Sequence, residues 1–547
     1  MKLDLRDFEG SSLGPYDLCI IGGGVAGLAL AWTLRRSGLS LCLLETGGEK
    51  PEAATHRLSR GDITGYPYFP LDMTRARALG GSSHLWDYEV APGVRRIRLR
   101  PLDPIDFERR EAIAWSGWPF GYETLAPYYQ QAQAFFGLPE RPYTAEAWHS
   151  ATAQPLLSAQ SQVLRTALFQ FGETDRFYTY YGPALLADAN VTVCLHAHVL
   201  ELLTDATGSI VEGVRVRHPN GQTLTVRARC FVLAAGGLEN ARLLLLSNRV
   251  CPTGLGNAYD RVGRFFMEHL HFLSGLFVPR ERSLIPRLGF YRFHCCDGVW
   301  IMGKLALQET VVRQEGLLNY CVALWPTDRL ALPRRHNPLL WGGYEALRVL
   351  REAIRQRSWP EELPRQLGRL VRDAPRLIPW ATTRLLSLKG KPRAIGREPV
   401  AFVLHHMAEQ APNPESRVRL SRRKDAFDQP RLELHWQICR QDVESLQRAQ
   451  QLVAQELERK GWGKVHIEVL EHFPPSGITG GFHHMGTTRM HASPREGVVD
   501  PNGRVHGVKN LYVTGSSVFP TVGFANPTLT IVALALRLAD HLKTHLQ

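Results

Sequence analysis

At 547 residues the chain is too long for one simple core, and two intertwined domains are expected. A hydrophobic content of 44% with 9% aromatics indicates a soluble globular protein, since no apolar run reaches membrane-spanning length and residues 1–7 hold no apolar signal core. The net charge of +13 is not accompanied by any recognised nucleic-acid module; nine cysteines, odd in number and without CxxC spacing, argue against a disulfide framework or a zinc site and make a reducing cytoplasm the expected compartment.

The first element is an apolar strand at residues 16–21 that runs into Gly22-Gly23-Gly24-Val25-Ala26-Gly27 and then an Ala/Leu-rich helix at 28–36. Gly22 permits the tight turn, Gly24 lets backbone N–H groups approach a pyrophosphate, and Gly27 lets helix and strand pack closely. The helix N-terminus then faces the phosphates. A second strand at 39–44 ends at Glu45, roughly 20 residues beyond the glycines, where an acid holds a ribose hydroxyl and disfavours a 2′-phosphate. This unit alone leaves FAD and NAD open.

Residues 73–86 form a loop rich in small residues, 115–136 read as a turn plus helix, and 191–232 as short strands with a hairpin turn at Pro219-Asn220-Gly221. Residues 229–237 form a buried-type strand ending in Ala234-Ala235-Gly236-Gly237 and leading into a helix at Leu238. Small residues at a strand end allow close backbone approach to a ligand. With no second Rossmann unit in the chain, this favours one FAD and no pyridine nucleotide. Residues 328–397 carry 16 Lys+Arg against six Asp+Glu, interleaved with Trp341, Leu347, Leu350, Ile354, Trp359 and Leu367. Helical spacing is expected here, cut short by Pro360, Pro364, Pro375 and Pro379, as an insertion whose apolar face packs on the rest of the chain; the competing reading is contact with an anionic membrane surface. Strands are expected at 402–407 and 431–436. Cys295-Cys296 reads as an incidental pair.

The last segments complete the pattern: Gly480-Gly481-Phe482-His483-His484-Met485-Gly486-Thr487, then Gly515-Ser516-Ser517 and Phe524-Ala525-Asn526-Pro527-Thr528. With Gly80-Gly81-Ser82-Ser83, Trp118-Pro119, residues 409–418 and Val498-Val499-Asp500, these motifs follow the order found in the glucose–methanol–choline (GMC) flavin oxidoreductases. The chain resembles that family over almost its whole length, in particular bacterial dehydrogenases near pyranose oxidase.

The resemblance implies an α/β fold: a Rossmann-like FAD-binding domain from residues 1–270 and 481–547, with cap segments at about 87–190, and an α+β substrate-binding domain at 271–480 built on an antiparallel sheet and carrying the basic insertion. It implies FAD contacts from Gly22, Gly24, Ala26, Gly27, Glu45, Thr46, Gly80, Gly81, Ser82, Ser83, Val199, Ala235, Gly236, Gly515, Ser516, Asn526, Pro527 and Thr528. His483 stands at the place of the catalytic base and Asn526 at that of its partner, with His484 as the alternative base. A neutral imidazole can take a hydroxyl proton as hydride leaves carbon for flavin N5, while an amide orients the oxygen. Leu85 occupies the position of a covalent flavin histidine, with His84 one residue earlier, so non-covalent FAD is expected. Asp87-Tyr88 departs from the family pattern and points to a remodelled pocket; of His405-His406, strand alternation lets one reach it. The implied activity is oxidation of a CH–OH group on a sugar, glycoside or lipophilic secondary alcohol. A lyase, a decarboxylase and a membrane-peripheral dehydrogenase are the alternatives, and oxygen, a quinone or a protein the possible electron acceptors.

Overall fold

The computed structural model describes residues 1–148, 161–218, 221–327, 342–355, 359, 363–388, 399–467, 473 and 477–546. The expected turn residues Pro219 and Asn220, and Trp341 and Pro360 of the basic segment, lie outside the described residues.

The first sheet is built from the N-terminal unit outward. Its spatial order is Lys2–Asp4, Val191–Leu195, Leu41–Leu44, Ser12–Ile21, Thr223–Leu233, Val211–Arg217 and His198–Thr204, with Leu511–Val513 also pairing with Thr223–Leu233. The strands around Ser12–Ile21 run parallel. Their inner residues, Leu18 to Ile21, Leu41 to Leu44 and Phe231 to Leu233, are no more than 3% exposed, as continuous apolar runs covered on both faces should be. The helix Val25–Leu34 is apolar nearly all round and correspondingly buried, with the C-terminal helix Thr528–Leu546 packed against it. Gly22 takes φ +112°, and a Cβ on Gly27 would lie 1.9 Å from the Gly22 carbonyl oxygen, so the turn admits no side chain at either place.

The second sheet is antiparallel, in the order Gly463–His466, Leu270–Pro279, Ala401–Ala408, Tyr320–Thr327, Val299–Leu307, Leu164–Gly172, Val94–Leu99 and Tyr88–Ala91. This corrects the expected division of the chain. The strands at Tyr88–Ala91, Val94–Leu99 and Leu164–Gly172 lie within the segment assigned as a cap on the first domain, yet they complete the sheet of the second. A small third sheet does the same in reverse, pairing Gly61–Gly65 in parallel with Pro430–Trp436, beside Arg417–Lys424. The domains are interleaved because strand pairing follows exposed edges, not chain order.

The basic segment forms two helices, Gly342–Arg355 and Leu363–Leu388. The second is 26 residues long and continues through Pro375 and Pro379, contrary to the expectation that proline keeps these helices short. Packing against its partner offsets the roughly 3 kcal/mol that an interior proline costs. Ala346 and Leu377 are buried, and the Asp373 carboxylate accepts the Gly343 N–H at 2.7 Å, satisfying a free amide at the start of the first helix. Among the described residues no helix is long and apolar enough to cross a membrane.

Candidate active site

A single cleft runs from the Gly22 turn to the second sheet. It is lined by every residue expected to contact the cofactor except Gly27, Gly80 and Ser83, and it also includes His483. Gly27 and Gly80 act one layer back: Gly27 seats helix on strand, while the Gly80 N–H donates to Gly23 O at 2.8 Å and holds the 80–83 loop over the turn. Ser83 turns its hydroxyl to Gly80 O at 2.7 Å.

The cleft's polar groups suit a dinucleotide. Glu45, whose carboxyl burial pushes above its ordinary range, is fixed by the N–H groups of Gly23 at 3.0 Å and Gly47 at 2.8 Å, and it lines the cleft where a ribose diol would be held. The helix Val25–Leu34 has no acid in its first turn, leaving its N-terminal N–H groups for an anion. Arg75 and Arg77 add positive charge. They share the Glu239 carboxylate at 2.6 and 2.9 Å, and Arg242 meets its other oxygen at 3.2 Å, so three guanidinium groups crowd one acid. Several buried polar atoms at the cleft have no protein partner, among them Arg75 Nε, both ring nitrogens of His198 and His484 Nε2. A cleft with a diol acceptor, anion donors and orphaned polar atoms fits FAD. His84 is not in its lining: its ring stacks on Tyr178 and Nε2 pairs with Leu79 O at 2.9 Å.

At the far end the two expected catalytic residues meet. Asn526 Nδ2 donates to His483 Nε2 at 3.1 Å, and Arg98 Nε donates to Asn526 Oδ1 at 2.7 Å. His483 Nδ1 lies 2.9 Å from His269 Nδ1, and His269 Nε2 lies 3.1 Å from Val522 O. A carbonyl can only accept, so His269 carries its proton on Nε2 and accepts on Nδ1. His483 therefore carries its proton on Nδ1, and its Nε2 lone pair points to Asn526 and the cleft. Hydrogen bonding alone thus assigns the tautomer of the neutral imidazole.

Backbone geometry holds that imidazole in place. The segments around His269 and His483 run antiparallel, with Met267 bridged to Met485 at 3.0 and 3.1 Å and His271 to Thr479 at 2.9 Å in both directions. Between them the fully buried Glu268 accepts the N–H groups of His269, Gly481 and His483 at 3.1, 3.0 and 2.9 Å, and the Tyr68 hydroxyl. Burial raises its carboxyl to about 7. Phe482, just before His483, sits at φ +64°, a strained conformation for a bulky residue and one the surrounding hydrogen bonds must hold.

Burial, then His269 and Arg98, hold the His483 imidazolium well below its ordinary range. His484, the alternative base, reaches neither Asn526 nor His269. It packs between Tyr68 and Phe266, and burial beside Arg75 lowers it to about 3. His405 and His406 both miss the cleft lining: His405 Nε2 meets His271 Nδ1 at 3.1 Å, and His406 bonds to the Tyr320 hydroxyl and Ser274 O. Among the described residues no cluster of His, Cys, Asp or Glu could hold a metal ion.

Sequence reasoning missed Arg98, His269, Glu268, Arg75 and Arg77. The departure at Asp87-Tyr88 was the one signal toward Arg98: Tyr88 lines the cleft with its ring 4.8 Å from that guanidinium, while Asp87 pairs with Arg95.

The chain is similar to known flavin oxidoreductases. Residues 17–254 match the FAD dependent oxidoreductase family and residues 412–535 the GMC oxidoreductase family. The chain is 23% identical to the fructose dehydrogenase large subunit of Gluconobacter japonicus, over 96% of this chain and 97% of that protein. It is 24% identical to paromamine 6'-oxidase of Streptomyces fradiae, over 96% of this chain and 90% of that protein. The crystal structure of a formate oxidase superposes with a TM-score of 0.52 at 16% identity, covering 98% of this chain and 99% of that one, a likeness of fold.

Proposed function

We propose, for a chain that belongs to the GMC family of FAD-dependent oxidoreductases, that it oxidises the CH–OH group of a small-molecule alcohol with His483 Nε2 as the base. The observation that carries this reading is the bonded series from Arg98 through Asn526, His483 and His269 to Val522 O, which leaves one unprotonated nitrogen facing the cleft. A substrate hydroxyl entering between His483 and Asn526 gives its proton to Nε2 and accepts the Asn526 N–H, which orients the oxygen and steadies the charge developing on it. FAD, when bound, supplies the acceptor for the hydride. His269 keeps the ring in register, and Glu268 keeps both backbones in place.

The similarity to a fructose dehydrogenase and a paromamine 6'-oxidase supports a sugar or glycoside hydroxyl as substrate; a lipophilic secondary alcohol is the second reading. FAD is held without a covalent bond, a reading supported by the engagement of His84 with Leu79 and Tyr178. The scattered, odd cysteines support a reducing cytoplasm. Anaerobic visible spectroscopy of the purified holoenzyme against sugars, glycosides and lipophilic alcohols tests the activity. Bleaching of the flavin band by one class is expected; a flavin that none of them reduces removes alcohol oxidation and favours lyase or decarboxylase chemistry on the same fold.

One observation favours a second feature of the reading, attachment to an anionic membrane surface. Ile354, Trp359 and Val371 of the basic segment are 78%, 88% and 77% exposed, with Arg351, Arg365 and Arg372 nearby in the chain. Such an enzyme would deliver electrons to a membrane quinone. Vesicles containing phosphatidylglycerol should carry the protein upward in flotation, and Trp359→Glu with Val371→Glu should abolish this; recovery of all the protein at the bottom of the gradient removes the attachment.

A further inference from the structure

Arg98 is 3% exposed and lines the cleft, yet among the described residues only the Nε of its five N–H groups is hydrogen-bonded, to Asn526. Its Nη2 is buried without a partner, and among the described residues no carboxylate pairs with it. A guanidinium cannot shed its proton at any ordinary pH. Lys304 and the histidines that feel its charge shift away from their cationic forms instead. Lys304, fully buried with Nζ toward Met407 Sδ, is brought down to about 7 by burial and by Arg98. His269, His271, His405 and His483 are all lowered, and each feels the Arg98 charge. The remaining neighbours are the rings of Tyr88 and Phe169 at 4.8 and 5.4 Å, which soften the charge without neutralising it. Glu268 is committed to Tyr68 and three backbone amides. Arg98 is therefore a permanent buried cation with free donors and, among the described residues, no paired carboxylate, a costly arrangement unless an anion arrives with the ligand.

We propose that Arg98 is a specificity residue and that the substrate is a hydroxy-carboxylate, with its carboxylate one or two carbons from the carbinol that His483 deprotonates. The inference rests on the alcohol-oxidation reading and narrows it; a sugar acid falls within both. Geometry sets the spacing. Arg98 Nε to Asn526 Oδ1 is 2.7 Å and Asn526 Nδ2 to His483 Nε2 is 3.1 Å. One planar amide separates these two contacts, so the guanidinium Nε and the base are at most about 8 Å apart. A vicinal hydroxy-carboxylate spans that interval, its hydroxyl on Nε2 and its carboxylate against the edge of the Arg98 guanidinium that lines the cleft. With FAD bound as the two-electron acceptor, the carbinol would give up its hydrogen as hydride and its hydroxyl proton to His483 Nε2, so the product would be the corresponding oxo-carboxylate.

The test is anion binding to the oxidised holoenzyme, read as a perturbation of the flavin spectrum, with acetate against acetamide and benzoate against benzamide. The carboxylates should bind at least tenfold more tightly than their amides. Arg98→Gln, checked for FAD content, should erase that preference, and Arg98→Lys should restore part of it. Equal binding of carboxylates and amides overturns the proposal in the wild-type protein alone, whether or not the variants fold. A preference that survives in Arg98→Gln, with the affinity for sulfite changed instead, overturns it in favour of a role toward the flavin itself. Bleaching by neutral alcohols without carboxylate binding removes this inference and leaves alcohol oxidation standing, whereas carboxylate binding with no alcohol or hydroxy acid able to reduce the flavin removes the oxidation reading.

Discussion

Replacing His483 with alanine is expected to lower the rate of substrate-driven flavin reduction by about two to four orders of magnitude while FAD stays bound. The ring is the one group whose unprotonated nitrogen is both fixed by hydrogen bonds and open to the cleft, and His484 cannot substitute because it meets neither Asn526 nor His269. Cofactor retention is expected because the groups suited to hold it, Glu45 and the N-terminus of the Val25–Leu34 helix, are positioned by hydrogen bonds that do not involve the His483 ring. The variant strands the His269 Nδ1 acceptor, a buried loss of about 1–3 kcal/mol, so thermal stability should fall slightly without preventing folding. Stopped-flow reduction under anaerobic conditions measures the effect. Near-normal reduction in a folded, FAD-replete variant would remove His483 as the base. In the unmodified enzyme the same geometry predicts an acid limb below pH 6.5. Burial with neighbouring cationic groups depresses the imidazolium, so the base stays neutral and active into mildly acidic solution.

How much of this was visible in the chain depends on how local each feature is. The Gly22 turn, Glu45 and the Ala234-Ala235-Gly236 strand end were legible because each is a run of adjacent residues whose conformation its own side chains dictate. His483 and Asn526 were legible through ordered motifs, although nothing in either segment alone says that they lie 3.1 Å apart. Arg98 was invisible for a physical reason. Residues 94–100 read Val-Arg-Arg-Ile-Arg-Leu-Arg, an alternation that normally describes a strand with one wet face. Only the pairing of Val94–Leu99 with Leu164–Gly172, which in turn pairs with Val299–Leu307, buries that face beside the cleft. The same long-range pairing defeated the domain boundaries. His269 belongs to the same class: an isolated histidine ahead of an apolar strand gives no sign of its partner more than 200 residues away. The length of the helix Leu363–Leu388 was misjudged because local proline rules carry no information about the packing that overrides them.

Asn526→Asp should have the second largest effect, and its sign is set by the two neighbours of that side chain. The amide now gives a hydrogen to His483 Nε2 and takes one from Arg98 Nε. A carboxylate keeps the Arg98 contact, but it has no hydrogen for Nε2, so that contact persists only when the imidazole is protonated. Opposite charge at this distance raises a histidine by about 1–3 pH units. The active neutral form is then lost on the acid side first. The acid limb of the rate of flavin reduction should move upward, with a deficit that deepens roughly tenfold for each pH unit below the new value and recovers as pH rises. Asn526→Ala removes the donor without adding charge, so it should slow the reaction at all pH values without moving the limb. The carboxylate would also satisfy Arg98 from within the protein and should abolish the preference for carboxylate over amide probes. A limb that stays in place in a folded, FAD-replete Asn526→Asp protein would mean that Asn526 does not face the base during turnover. A moved limb with the carboxylate preference intact would separate the two roles, leaving His483 as the base and removing Arg98 as the anion site.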